Sequence, residues 1–264
     1  MGNLTQLNQL LHLIQQHEAP EAIFIIAQTT IQYSYTNIFF NVPETTEQPN
    51  AYLLLLVIDT DTKECTQIQG RLENILQPVA AATCWCMPLS TFNEMLLQGK
   101  YFACTVMSQA ERLFIAGDAD IATSFIAPHF NQYQSAWYQR ALEFYAGAEL
   151  YIIRKQYAMA AFHLHQCAEQ ALTSVVYNKS GYRPATHNLL LLFRYACWFE
   201  PLLHGLFTPH QLKEDSLLHL LQRAYTGSRY TAEYTIKGKQ LEMIKEKMGQ
   251  LLTLSKITGK EVTA

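Results

Sequence analysis

The chain has 264 residues, 49% of them apolar and only 16% charged, with a formal net charge of −3. That composition buries a substantial core and excludes a disordered chain, and the length suits one large domain or two ordinary ones. A pI of about 6.3 excludes a strongly basic field for bulk nucleic-acid binding, while a local basic patch stays open.

The opening stretch MGNLTQLNQLLHLIQQ has no basic region and no uninterrupted apolar core, so it does not read as a secretory signal. No run reaches the roughly 18 apolar residues that cross a bilayer, and a cytoplasmic protein without a membrane partner is expected. Leu4, Leu7, Leu11 and Ile14 recur at helical spacing, and Pro20 stops that helix. AIFIIA (22–27) is a short strand-like run, and IQYSYTNIFF is a second candidate. ETTEQPN (44–50) reads as a polar loop, and YLLLLVID (52–59) as a strand buried on both faces. Ile68, Leu72 and Leu76 predict a helix ending at Pro78, and VAAATCWC (79–86) a further strand. Thr91 and Glu94 have the spacing of a capping box for a helix through Met95 and Leu96. ERLFIA (111–116) is the last strand-like run, and strands alternating with helices predict a small α/β domain.

The period changes after about residue 118. Helical patterns cover about 133–155, 157–178, a segment starting near His187, 211–227 and 236–256. Gly181 closes the second, and Leu241, Ile244, Met248 and Leu251 mark the last. Long helices with short connections predict an up-and-down bundle. The boundary is expected within 118–131, where Gly117 and Pro128 flank an irregular stretch.

Six cysteines stand at 65, 84, 86, 104, 167 and 197, without the paired spacing of a zinc knuckle. In a strand, Cys84 and Cys86 share one face, and free buried thiols are the expected state.

AFHLHQCAEQAL (161–172) is the richest segment for chemistry. Ala161, Leu164, Ala168, Leu172 and Val175 form its apolar stripe, with His165 and Glu169 four apart on the edge and Gln166 further round. His163 is expected on the solvated side. The His165–Glu169 pair reads either as a helix-edge hydrogen bond between half-buried groups or as part of a site. It lacks the two-histidine spacing of a zincin, and no third metal ligand can be named. In RPATHNLLLLF (183–193), Thr186 is a natural N-cap and His187 falls in the first turn. Free amides at that helix start would attract phosphate. In AYTGSRYTAEYTI (224–236), Arg229, Tyr230 and Tyr234 either contact a phosphate or base or form a tyrosine seam on the bundle.

These three pieces, AAFHLHQCAEQAL, GYRPATHNLLLLF and AYTGSRYTAEY, resemble in order and spacing the HEPN superfamily of helical domains linked to nucleotide and RNA chemistry. In that family the polar positions line a groove near a dimer interface. The resemblance therefore implies a ligand site of His165, Gln166, Glu169, His187, Arg229 and Tyr230, and a homodimer. Ribonuclease members carry an arginine and a histidine separated by four to six residues. Here three residues separate Arg183 from His187, and Arg194 precedes His204 by ten positions. The chain thus departs from the pattern of the ribonuclease members.

HEPN domains of this type often follow a nucleotidyltransferase domain of the polymerase-β class, and the N-terminal half resembles a degenerate one. The family's Asp-x-Asp strand aligns with YLLLLVI, which puts Tyr52 and Leu54 at the carboxylate positions. The preceding turn reads FFNVPE without Gly-Ser. Neither side chain binds Mg²⁺, and Asp59 and Asp61 lie past the strand. The expected protein is a two-domain α+β chain. Residues 1–118 form a nucleotidyltransferase-like α/β domain, and residues 125–258 an all-α up-and-down HEPN bundle. Its expected function is non-catalytic binding of a nucleotide or RNA, with no cofactor, metal or catalytic residue. The alternatives are a metal-independent ribonuclease using His165, His187 or Arg229, and a structural dimerisation or protein-interaction module.

Overall fold

A computed structural model describes residues 2–29, 35–39, 51–123, 136–207, 216–230 and 234–257, without the side chains of 2–4, 35–36, 228–230 and 257. Two compact units divide the chain, residues 1–130 and 131–264.

The first unit runs α1 (Gly2–His17), β1 (Pro20–Thr29), β2 (Tyr35–Asn37), β3 (Ala51–Ile58), α2 (Thr62–Leu76), β4 (Ala81–Pro88), α3 (Leu89–Leu97), α4 (Tyr101–Gln109) and β5 (Glu111–Ile115). β3 lies between β1 and β4, and the other edge of β1 is shared by β2 and β5. β1 is antiparallel to β2, β3 and β5. β3 and β4 are parallel, aligned from Ala51 opposite Ala81 to Ile58 opposite Pro88, and α2 supplies the crossover such a pair requires.

Every residue of β3 is buried, because both faces of the sheet are covered. On one face, Tyr52, Leu54, Leu56 and Ile58 join Ile23 and Ile25 of β1 in a core with Leu7, Leu10 and Ile14 of α1 and Ile68, Leu72 and Leu76 of α2. On the other, Phe24 meets Phe92 of α3 at 5.9 Å between ring centroids, and Trp85 meets Phe102 of α4 at 5.2 Å. Strand period sends alternate residues to the two faces, so the uninterrupted apolar run of β3 is what a doubly covered strand needs. Cys84 belongs to the first core and Cys86 packs against it, as their shared face requires.

One local expectation fails here, and one helix went unforeseen. α3 begins at Leu89 behind Pro88 with no side-chain cap, so Thr91 lies inside the helix and Glu94 accepts from Gln98 Nε2 at 2.8 Å instead. α4 escaped the periodicity reading because Phe102 to Met107 are all buried, which leaves no polar face to reveal a period.

Among its described residues the second unit has helices and no strand: α5 (Ala136–Ile153), α6 (Tyr157–Ser180), α7 (Leu189–Cys197), a 3₁₀ turn (Pro201–Gly205), α8 (Leu217–Tyr230) and α9 (Gly238–Ile257). Alanines at 158, 160, 161, 168 and 171 favour helix in α6. Gly181 ends it in the left-handed region at φ 69°, with its amide on Tyr177 O. α6 packs against α5, α7, α8 and α9, so it is the axis of the unit and is buried on several sides at once. No helix among the described residues is long and apolar enough to cross a membrane.

Candidate ligand-binding site

The central position of α6 changes the environment of its polar residues. His165 is 0% exposed and Glu169 4%, so both lie in the core and not on the edge of a stripe. Gln166 is half-buried beside them. Its Nε2 is 3.2 Å from His165 Nδ1 and 3.5 Å from Glu169 Oε2. Glu169 Oε1 lies 3.1 Å from Nδ1 of His187. The Glu169 side chain is 6% exposed and that of His187 58%. With the carboxylate oxygen as acceptor, the ring nitrogen Nδ1 of His187 is the donor.

Tyr225, from α8, completes the cluster. Its ring stacks on His187 at 5.2 Å and 14°, and lies 5.0 Å from the ring of His165 at 32°. One tyrosine thus faces both histidines, within the spacing of offset ring pairs. Sequence reasoning passed over Tyr225 although it lies in the segment singled out. Its only signal is the placement of Arg229 one helical turn later on the same helix.

The start of α7 differs from expectation. Its N-cap is Asn188, whose side chain accepts from Leu190 N and Leu191 N. Thr186 Oγ1 accepts from Asn188 N at 3.1 Å, so Thr186 supports the cap from outside and His187 precedes the helix. Leu189 N donates to Gln222 Oε1 at 2.6 Å, and Gln222 Nε2 donates to His187 O at 3.4 Å. The first three amides of α7 are therefore occupied, and the expected attraction of free amides for phosphate is absent. The imidazole of His187, by contrast, takes no part in capping.

Other singled-out residues separate into different settings. The side chains of Arg229 and Tyr230 lie outside the described residues. Tyr234 follows the seam reading: its hydroxyl donates to Leu220 O at 3.1 Å, and burial pushes its pKa up to about 12. A Cβ at Gly227 would sit 2.9 Å from Tyr234 Cβ, so this glycine permits the close approach. His163 is half-buried and not on a solvated side of the helix. Its ring lies 4.8 Å from Tyr151, 5.8 Å from Phe144 and 5.9 Å from Phe162, and burial holds its pKa below the usual histidine value. Arg183 places its guanidinium 4.5 Å over the Trp137 ring, which Arg140 also approaches at 5.1 Å. Cys167 is buried in the core of α6, and its thiol is pushed up to about 12, so it is no nucleophile near neutral pH.

In the first unit, Tyr52 and Leu54 are 0% exposed, and the Tyr52 hydroxyl donates to Gln6 Oε1 at 3.3 Å. Asp61 is the N-cap of α2 and accepts from Glu64 N at 2.8 Å, while Asp59 is exposed beyond β3. These positions do not fit a two-metal phosphoryl-transfer site, which needs adjacent carboxylates on the strand. Most of the expected turn FFNVPE lies outside the described residues. No group of three His, Cys, Asp or Glu positioned to hold a metal occurs among the described residues.

Comparison with known proteins concerns the same helices. Residues 134–258 match the HEPN domain. Among solved structures, the chain is similar to a nucleotidyltransferase-like protein from Exiguobacterium sibiricum 255-15 at 11% identity, covering 94% of this chain and 73% of that one with a TM-score of 0.32. No curated protein matches. Within the residues that match the HEPN domain, α6 and the turn before α7 supply four of the six expected ligand residues, His165, Gln166, Glu169 and His187, and the structure brings these four together.

Proposed function

We propose that the HEPN domain binds a nucleotide or an RNA end beside His187 and Tyr225 without catalysing a reaction, and that residues 1–118 form an inactive nucleotidyltransferase-like domain in a cytoplasmic homodimer. One observation carries the ligand reading. A buried carboxylate, Glu169, holds the ring of an exposed histidine, His187, which stacks on Tyr225. Asn188 caps α7, so the imidazole has no local structural duty there. An exposed, oriented polar ring with an aromatic partner suits base stacking and phosphate contact. Inactivity of the first unit rests on Tyr52 and Leu54 at the carboxylate positions and on the capping duty of Asp61.

A carboxylate-oriented histidine is also the geometry of a general base, which keeps metal-independent RNA cleavage as a second reading. One set of measurements separates the two. A thermal-shift panel of nucleotides and short RNAs selects the tightest ligand, which is then titrated against wild type and His187→Ala. The expected result is an affinity loss of about 10- to 100-fold, the value of one charge-assisted hydrogen bond. Unfolding stability should fall by no more than about 1–3 kcal/mol, the cost of leaving the buried Glu169 carboxylate with Gln166 alone. Large destabilisation with unchanged affinity would make His187 a structural residue and end the binding proposal. RNA cleavage by wild type that His187→Ala abolishes would establish the ribonuclease reading instead.

A further inference from the structure

The first unit contains a thiol pair that no part of the ligand reading uses. Cys65 sits in the first turn of α2 and Cys86 on β4. Their sulfurs are 2.8 Å apart, with Cys86 Sγ donating to Cys65 Sγ. Cys65 is 3% exposed and Cys86 is half-buried, so the pair lies at the rim of the core and Cys86 is its more open member. Cys84, two residues along the strand, is 0% exposed. We propose that Cys65 and Cys86 form a redox-responsive dithiol, a modification site that closes to a disulfide when peroxide reaches it.

The geometry requires little motion. A disulfide has an S–S length of roughly 2.05 Å, so one sulfur moves by about 0.8 Å from the 2.8 Å separation. Both cysteines lie on elements fixed by the sheet, with α2 packed on β4. The electronic roles are also divided. The hydrogen bond from Cys86 lowers the pKa of Cys65, against opposition from burial and from Asp61 and Glu64. Donating that bond, together with burial, raises the pKa of Cys86. Position near a helix N-terminus further suits Cys65 as the thiolate.

The chemistry balances with peroxide as the two-electron oxidant. The Cys65 thiolate attacks one peroxide oxygen, forming the S–O bond of a sulfenic acid and breaking O–O. The departing hydroxide takes up a proton to leave as water. Cys86, deprotonated to solvent, then attacks Cys65 Sγ. The S–S bond forms, S–O breaks, and a second water leaves. Two thiols are oxidised to one disulfide, and peroxide is reduced to two waters.

The full-length protein, fully reduced, is exposed to stepwise hydrogen peroxide, quenched with an alkylating agent and peptide-mapped. The expected result is a Cys65–Cys86 cross-linked peptide appearing before any change at Cys84, Cys104, Cys167 or Cys197. Dithiothreitol should reverse it. The oxidised protein should melt roughly 5–10 °C above the reduced form, from the constraint on the enclosed loop, and Cys86→Ser should remove that shift. Over-oxidation of either cysteine without a cross-link overturns the proposal. So does equal reactivity of the six thiols. Both readouts use wild-type protein first, so a misfolded variant does not protect the idea.

Discussion

A methyl group added at Gly147 of α5 would lie 2.5 Å from Nδ1 and 2.9 Å from Cε1 of His163 on α6. Two effects compete there. Replacing a helical glycine by alanine gains up to about 1 kcal/mol in helix propensity. Forcing a methyl into packed space costs typically about 1–3 kcal/mol. The His163 ring is bounded by Phe144, Tyr151 and Phe162, so it has little room to swing away. The clash therefore wins, and Gly147→Ala should lower stability by roughly 1–2 kcal/mol in denaturant unfolding. A stabilised variant would show that the ring yields. His163 was misread from the sequence for a related reason. A helical wheel with one core face puts it in solvent, but α6 has neighbours on several sides. The same geometry buries His165 completely and Glu169 nearly so. The wheel gave the relative directions of these side chains correctly and their exposure wrongly.

At the scale of elements, α7 gives the sharpest test, because two residues compete for the role of cap. Asn188 satisfies two amides and Thr186 only the amide of Asn188. Asn188→Ala should cost about 1 kcal/mol of stability, the usual value of an N-cap, and Thr186→Ala distinctly less. The reverse order in chemical denaturation would restore Thr186 as the cap. What was legible in the sequence follows the same physics. β3 was clear because a doubly buried strand is apolar without interruption, and α9 because its buried Leu241, Ile244, Met248 and Leu251 recur at helical spacing. α4 was invisible because Phe102 to Met107 are all buried. Thr91 and Glu94 have the right spacing for a capping box, but Pro88 had already started the helix. In the site, His165 and Glu169 are neighbours by helical period alone. Bringing His187 onto Glu169 across 18 positions was legible only through the family resemblance. Tyr225 and the Cys65–Cys86 contact depend on tertiary packing between elements, which no local pattern encodes.

For the whole molecule, the proposed homodimer needs a surface, and α5 carries one. Leu142 is 38% exposed, Leu150 49% and Ile153 78%, with Ala146 also exposed between them. These residues recur at spacings of four, four and three, so they lie along one side of the helix over about three turns. Single exposed leucines are ordinary, whereas a continuous apolar row is the kind of surface that interfaces cover. Lys245 and Glu149, paired at 3.0 Å, place a charged pair between α9 and α5, and a polar border is usual at interfaces. A second copy related by twofold symmetry would set this row against itself, since such an interface uses the same patch on both subunits. Light scattering at tens of micromolar should then give about 60 kDa, twice the 30.2 kDa of one chain. The double substitution Leu150→Glu and Ile153→Glu should halve that mass. Both positions are exposed, so helical content and unfolding stability should stay close to wild type, within about 0.5 kcal/mol per substitution after allowing for the lost interface. A wild-type mass near 30.2 kDa at that concentration would remove the dimer. A mass near 60 kDa that survives the double substitution would keep the dimer but move its interface off this face of α5.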